Sequence, residues 1–231
     1  LSWLSENVHE LTLKVVTGNF RDIKDLVYRG NVKKVDGVIF DLGLSTFELS
    51  QSGRGLSYLK NEPLDMRFGK VDQSPTAADL LNDLNEKELY EIFIKFGEIR
   101  DALRLSESLV RRRSLKKIKT TQDLVSLVET ALLPRDRFKV LSQVFQALRM
   151  AVNDELGNLE KGLTGAESLL ERGGRLVVIS FHSLEDRLVK QQFLKVQSLG
   201  LGKIVTVSPL RPGRDEVKIN SAARSAKLRA L

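Results

Sequence analysis

Two short runs of aliphatic and β-branched residues do most to limit what this chain can fold into: Val35 to Phe40, closed by Asp41, and Arg175 to Ser180, entered through Glu171-Arg172-Gly173-Gly174. Apolar runs without polar alternation are buried on both faces, as strands of a parallel sheet are. A further run, Leu11 to Val16, ends at Thr17-Gly18-Asn19, and Ile23, Leu26 and Val27 give Phe20 to Tyr28 helical spacing. Strand, helix and strand in that order predict a parallel α/β sheet.

The interval between Asp41 and Arg175 has a different period. Thr76 caps a predicted helix carrying Leu80, Leu81, Leu84, Leu89, Ile92, Phe93 and Phe96, with Gly97 as its end. Thr120 or Thr121 caps another, with Leu124, Val125, Val128 and Leu132, stopped before Pro134. Steps of three and four from Phe145 through Leu148, Val152, Leu156 and Leu159 to Leu163 predict one helix burying one stripe. The expected organisation is therefore a sheet domain in two parts, residues 1–68 and 150–231, interrupted by a helical insert at 69–149. After the last parallel strand, a helix from Leu184 to Val196 leads to Lys203–Val207 and Ser225–Leu231, both expected as antiparallel edge strands.

Composition narrows the classes. The absence of cysteine excludes a disulfide scaffold and cysteine-ligated zinc and fits a reducing compartment, while His9 and His182 alone leave little for a histidine metal site, so no metal is expected. No apolar run approaches the roughly 20 residues of a membrane span. Of the formal net charge of +7, residues 187–231 carry more than all, with ten Lys or Arg against Asp215 and Glu216. A second cluster joins Arg111, Arg112 and Arg113 to Lys116, Lys117 and Lys119. Such runs are often only solvated faces, but two of them strengthen the case for a polyanionic partner.

In an open α/β sheet, ligands collect beyond the carboxyl ends of the strands. Asn19-Phe20, Asp41-Leu42-Gly43-Leu44-Ser45 and Ser180 to Asp186 lie there. A carboxylate beside a glycine suits a ligand with donor groups, though Asp41 could equally cap a turn. His182 could be a general base or could satisfy hydrogen bonds behind the site, and Glu185 and Asp186 could orient it or simply open the next helix. Pro63-Leu64-Asp65-Met66-Arg67 resists a packing explanation, although an Asp65–Arg67 pair holding a loop is the plainer one.

Taken together, Asp41 to Ser45, Arg54-Gly55-Leu56-Ser57, Pro63 to Arg67, Phe145-Gln146-Ala147-Leu148-Arg149, Val152 to Leu156, Ser180 to Arg187 and Ala223 to Arg229 resemble the RsmH (MraW) family. Its members are S-adenosylmethionine-dependent methyltransferases acting on the exocyclic N4 of a cytidine in small-subunit ribosomal RNA. The resemblance implies a Rossmann-like methyltransferase sheet with an inserted helical domain. It further implies donor contacts from Phe20, Asp41 and Gly43, and from Glu48, which stands where the family usually has Gln. The family's Gly-rich donor loop has no counterpart here, so the first strands of the sheet are expected to be absent from this chain. In the insert, Ile99 replaces a usual Glu, and Asn220-Ser221-Ala222 replaces the usual Asn-Pro-Arg.

On that reading Asp41 is the first candidate to accept a proton of the attacking amine, with Ser180 and His182 second. Tyr58 or Phe68 would stack the displaced base. Asp65, Arg67, Arg111, Arg112, Arg113 and Arg149 are the candidate substrate contacts. The expected partner is small-subunit ribosomal RNA or a 30S-type particle, with no membrane; a homodimer is left open, and the expected setting is the bacterial cytoplasm or an organelle matrix. A catalytically silent RNA-binding or ribosome-assembly factor is the rival class.

Overall fold

A computed structural model of the chain describes residues 13–44, 52–68, 74–132 and 136–231. The chain divides into a sheet unit, residues 1–43 and 156–231, and a helical unit, Leu44–Glu155.

In the sheet unit a short 3₁₀ turn, Phe20–Asp22, runs into α1 (Ile23–Arg29), followed by β1 (Val35–Asp41). Later come β2 (Leu170–Ser180), α8 (Ser183–Ser198), α9 (Arg214–Ile219) and β3 (Lys227–Ala230), after α7 (Glu155–Leu169). The strand order is β1-β2-β3, with β1 parallel and β3 antiparallel to β2. Phe40 faces Val178 and Asp41 faces Ile179, so the two parallel strands finish level with one another. The register shifts between Val35 and Gly37, where extra residues of β2 loop out around Gly173. Phe40, Leu159, Leu163, Ala166, Leu176, Val178, Val189, Phe193 and Val196 form the core.

Two strand expectations fail here. Leu13 to Val16 carry no strand pairing and Val15 is 65% exposed. A buried parallel strand needs a hydrogen-bonding neighbour, and among the described residues this run has none; the outer side of β1 is likewise open, with Ile39 at 72% exposure. Lys203–Val207 is not a strand either, because the N–H groups of Val205 and Thr206 both converge on the one carbonyl of Ala230 instead of forming a ladder. The other expected edge strand is present as β3.

The helical unit holds α2 (Ala77–Asp83), α3 (Glu86–Gly97), α4 (Ala102–Leu115), α5 (Thr121–Leu132) and α6 (Arg137–Asn153). Thr76 does cap a helix, through a reciprocal bond pair with Asp79, but that helix stops at Asp83. Asn85 and Glu88 build a second capping box, which satisfies the first N–H groups of α3 and divides the predicted helix in two. The stripe from Phe145 to Leu163 is divided as well, since Asp154 adopts a left-handed conformation (φ 46°) and caps α6 through its N–H to the carbonyl of Met150. Aspartate tolerates that region better than most residues. Phe145, Leu148 and Val152 therefore join the helical unit's core while Leu159 and Leu163 join the sheet unit's.

Leu64 and Met66 are fully enclosed in the helical core beside Leu81, Leu89, Phe93, Leu105, Leu109, Ile118, Leu124, Val128 and Leu148. Burial of that kind is worth about 1.5–3 kcal/mol for each such side chain. Backbone bonds tie Leu64 to Lys119 and Ala78. This is why the contacts group residues 44–155, where the composition alone suggests 69–149.

Candidate active site

The site is built at the carboxyl ends of β1 and β2. Asp41 ends β1 with its carboxylate in solvent and with no hydrogen bond or ion pair to any described residue. The ladder continues one step through the N–H of Leu42 to the carbonyl of Ile179, and Gly43 then turns the chain with φ +104°. A side chain there would be strained, and its Cβ would also touch the Phe181 ring at 3.4 Å. On the other flank, Asn19 caps the 3₁₀ turn that presents Phe20. The Phe20 ring meets Phe40 edge to face at 5.7 Å and lies so close to α7 that a Cβ at Gly162 would come within 2.8 Å of it. Phe20 is thus a braced, partly exposed apolar ring packed against Phe40, the residue before Asp41.

After β2 the chain enters α8 through a third capping box. His182 is the N-cap residue: its Nδ1 accepts from the Glu185 N–H at 3.3 Å, while one Glu185 oxygen accepts from the N–H groups of Phe181 and His182 at 2.9 and 3.3 Å. An accepting Nδ1 assigns the ring proton to Nε2, which lies 3.2 Å from the other Glu185 oxygen. Burial works to raise the Glu185 pKa, but the adjacent His182 imidazole and the two backbone donors outweigh it, and the carboxyl sits below its ordinary value. Ser180 is buried, its hydroxyl 3.4 Å from the carbonyl of Lys227. One turn on, Asp186 bonds Arg229 at 2.6 Å and Lys227 at 3.3 Å, locking β3 onto the start of α8. Burial opposes that charge and the two cations overcome it, leaving the Asp186 pKa lowered.

In the helical unit, most of the candidate substrate contacts hold the protein itself. Arg67 makes a two-point bond to Asp65 at 2.6 and 2.9 Å and a third to the carbonyl of Ser74. That hydrogen bond is the main reason the Asp65 carboxyl is pulled below its usual range. Between them Met66 is left-handed (φ 60°) with its side chain in the core, and its carbonyl and the Phe68 N–H are both met by the Asn153 amide at 2.8 Å. Arg149 is paired in the same two-point way with Glu155, at 2.7 and 3.0 Å. Arg113 reaches the Leu81 and Leu84 carbonyls at the C-terminal end of α2. Arg111 and Arg112, by contrast, are exposed, and their guanidinium groups bond to no described residue. Glu48 lies outside the described residues.

Sequence reasoning finds Phe20, Asp41, Gly43, Ser180 and His182 near one another, and the sheet unit does bring them to one end. It misses the Asp186–Lys227–Arg229 cluster and the pairing of Phe138 with Tyr58 on the helical unit, whose partners lie far apart in sequence. A carboxylate unengaged among the described residues, a glycine turn and a helix start at the strand ends put the candidate site where open α/β sheets hold their ligands. The sequence profile of the MraW methylase family matches residues 2–231, and the chain belongs to that family. Its fold is accordingly a Rossmann-like methyltransferase fold.

Several relatives carry the name ribosomal RNA small subunit methyltransferase H. That of Methylococcus capsulatus is 45% identical over 228 residues, covering 92% of this chain and 75% of its own length. The Deinococcus radiodurans protein is 43% identical, with 94% of this chain and 68% of its own length covered. For the Coprothermobacter proteolyticus protein the values are 40%, 95% and 73%.

Proposed function

We propose that this chain transfers the methyl group of S-adenosylmethionine to the exocyclic N4 of a cytidine in small-subunit ribosomal RNA. The observation that carries this reading is the Asp41 carboxylate, exposed at the end of a parallel strand and without a partner among the described residues, in a member of a methylase family whose relatives are named for that RNA. The residues present fit one side of the donor. Phe20 offers an apolar wall, Gly43 leaves the backbone approachable, and Asp41 places a negative charge where a cationic ligand gains from it. When bound, S-adenosylmethionine supplies an electrophilic methyl group on a positively charged sulfur.

The lone pair of cytosine N4 is delocalised into its ring, so attack is helped by an acceptor that takes up an amine N–H as the nitrogen becomes tetrahedral. Asp41 is the acceptor we assign, because its oxygens are bonded to nothing among the described residues. Ser180 and His182 act by support: the buried hydroxyl faces the edge strand, and the imidazole closes the first turn of α8. Arg111 and Arg112 are assigned to phosphates, whereas Asp65, Arg67, Arg113 and Arg149 keep the surface around them in shape. A 30S-type particle is the substrate form we favour and the bacterial cytoplasm the setting; among the described residues no helix is long and apolar enough to cross a membrane.

The test is incubation of the protein with labelled S-adenosylmethionine and small-subunit particles lacking the modification, followed by mass identification of the labelled nucleoside. N4-methylcytidine is the expected product. A different methylated nucleoside, or RNA binding with no label, would overturn the assignment.

A further inference from the structure

Aromatic side chains in the helical unit form a ladder from core to solvent. Phe145, buried in α6, meets the Tyr58 ring edge to face at 5.6 Å. The Tyr58 hydroxyl lies 3.2 Å from Ser142 Oγ, which fixes the ring, and Tyr58 in turn faces Phe138 at 6.5 Å with a 39° tilt. Phe138 is 58% exposed, and the Arg137 guanidinium lies 5.6 Å from its centroid while pairing with Glu129. An isolated exposed apolar residue needs no explanation. Here, however, a large ring and a guanidinium plane stand in solvent on a braced support, at a point where neither completes the core.

We propose that Phe138 and Arg137 form a stacking platform for a nucleobase of single-stranded RNA; this rests on the ribosomal RNA reading above and assigns the part of the surface that grips unpaired bases. Unpaired bases are held by stacking on aromatic rings and arginine planes, and a pre-fixed platform loses little entropy on binding. Charge favours the same partner. Arg137 lies over the ring, Lys139 is exposed one residue on, the nearby Asp136 carboxylate is engaged with the Lys139 N–H and Glu129 with Arg137, and the whole chain is +7. Tyr58, a candidate stacking residue from sequence, serves instead as the brace, because its ring is sandwiched and its hydroxyl bonded.

The experiment measures binding of the full chain to a fluorescent single-stranded RNA of about ten nucleotides and to the same RNA annealed to its complement. Phe138→Ala and Phe138→Leu should each weaken single-strand binding about tenfold, the range of one lost base stack, with duplex binding unchanged. Phe138→Trp should retain it, and Arg137→Lys should lose several-fold affinity because the charge remains but the plane does not. The dependence on salt concentration should keep its slope in all four, since no phosphate contact is removed. Unchanged single-strand affinity in Phe138→Leu, or an equal loss on single strand and duplex, overturns the platform; the latter result would indicate a general surface effect. A wild-type protein that yields no N4-methylcytidine counts against the proposed reaction but leaves this binding comparison readable.

Discussion

The two units use charged residues in opposite ways. At the strand ends of the sheet unit, Asp41 is left without a partner among the described residues, while the neighbouring carboxylates Glu185 and Asp186 bind backbone and cations to fix the frame around it. In the helical unit, the residues that look most like ligand contacts, Asp65, Arg67, Arg113 and Arg149, are closed upon the protein, and only Arg111 and Arg112 of the candidates stay open. A motif of charged side chains in sequence therefore does not distinguish reacting groups from bracing ones. Their hydrogen-bond partners do.

The sharpest way to break this comparison sets Asp41→Ala against Met66→Ala. The first should abolish detectable methyl transfer, a loss of at least about a hundredfold, while the urea midpoint stays close to wild type, because an exposed, unpartnered residue contributes little to stability. The second should cost about 2–5 kcal/mol in urea unfolding, because it empties a fully buried position. If Asp41→Ala turns over normally, or unfolds as easily as Met66→Ala, the contrast is wrong.

A smaller effect concerns acid. Asp123 accepts from Lys116 and from the N–H groups of Lys119 and Thr120, and these bonds outweigh partial burial, taking its pKa from 3.8 to about 2. With the folded value depressed, the stability it adds is complete above about pH 4 and is lost as the pH falls toward 2. Asp65 and Asp186 are shifted in the same direction. Asp123→Asn should thus be less stable than wild type at pH 7, with the gap closing in acid, as followed by circular dichroism melts. A gap that widens in acid would refute the assignment.

The smallest stability change is expected where binding changes most cleanly. Arg111→Ala with Arg112→Ala should leave unfolding within about 0.5 kcal/mol of wild type. The same pair should lower the slope of log affinity for RNA against log salt by about 2, roughly one for each phosphate contact removed. Arg113→Ala should do the reverse, destabilising α2 by about 1–2 kcal/mol through two carbonyls left without their donor, with the salt slope nearly intact.

Much of the sheet was legible because the carboxyl halves of β1 and β2, Val38–Phe40 and Leu176–Ile179, are unbroken apolar runs, and Asp41, Gly43 and His182 could be placed from the fact that ligands gather at strand ends. The helix breaks at Asn85 and Asp154 were not, since the apolar period runs through both and the deciding events are local: a reciprocal cap in one case, a single left-handed residue in the other. α4 went unseen because its long basic stretch resembles a solvated run, although Ala102, Leu105 and Leu109 are buried on its inner face. The engagement of Arg113 and the ladder behind Phe138 depend on partners tens of residues away, which no pattern within a window can report.

The Asp186 cluster has a consequence for the order in which the protein is made. β2 lies at the centre of the three strands, and its far edge is covered only by β3, which Lys227 and Arg229 fasten to Asp186. Chains emerge from the ribosome N-terminus first, so the strand carrying Ser180 must wait with one row of backbone donors and acceptors open until residues 227–230 arrive. During that interval this edge can pair with a foreign strand, and the arrival of two basic side chains at one half-buried aspartate closes it.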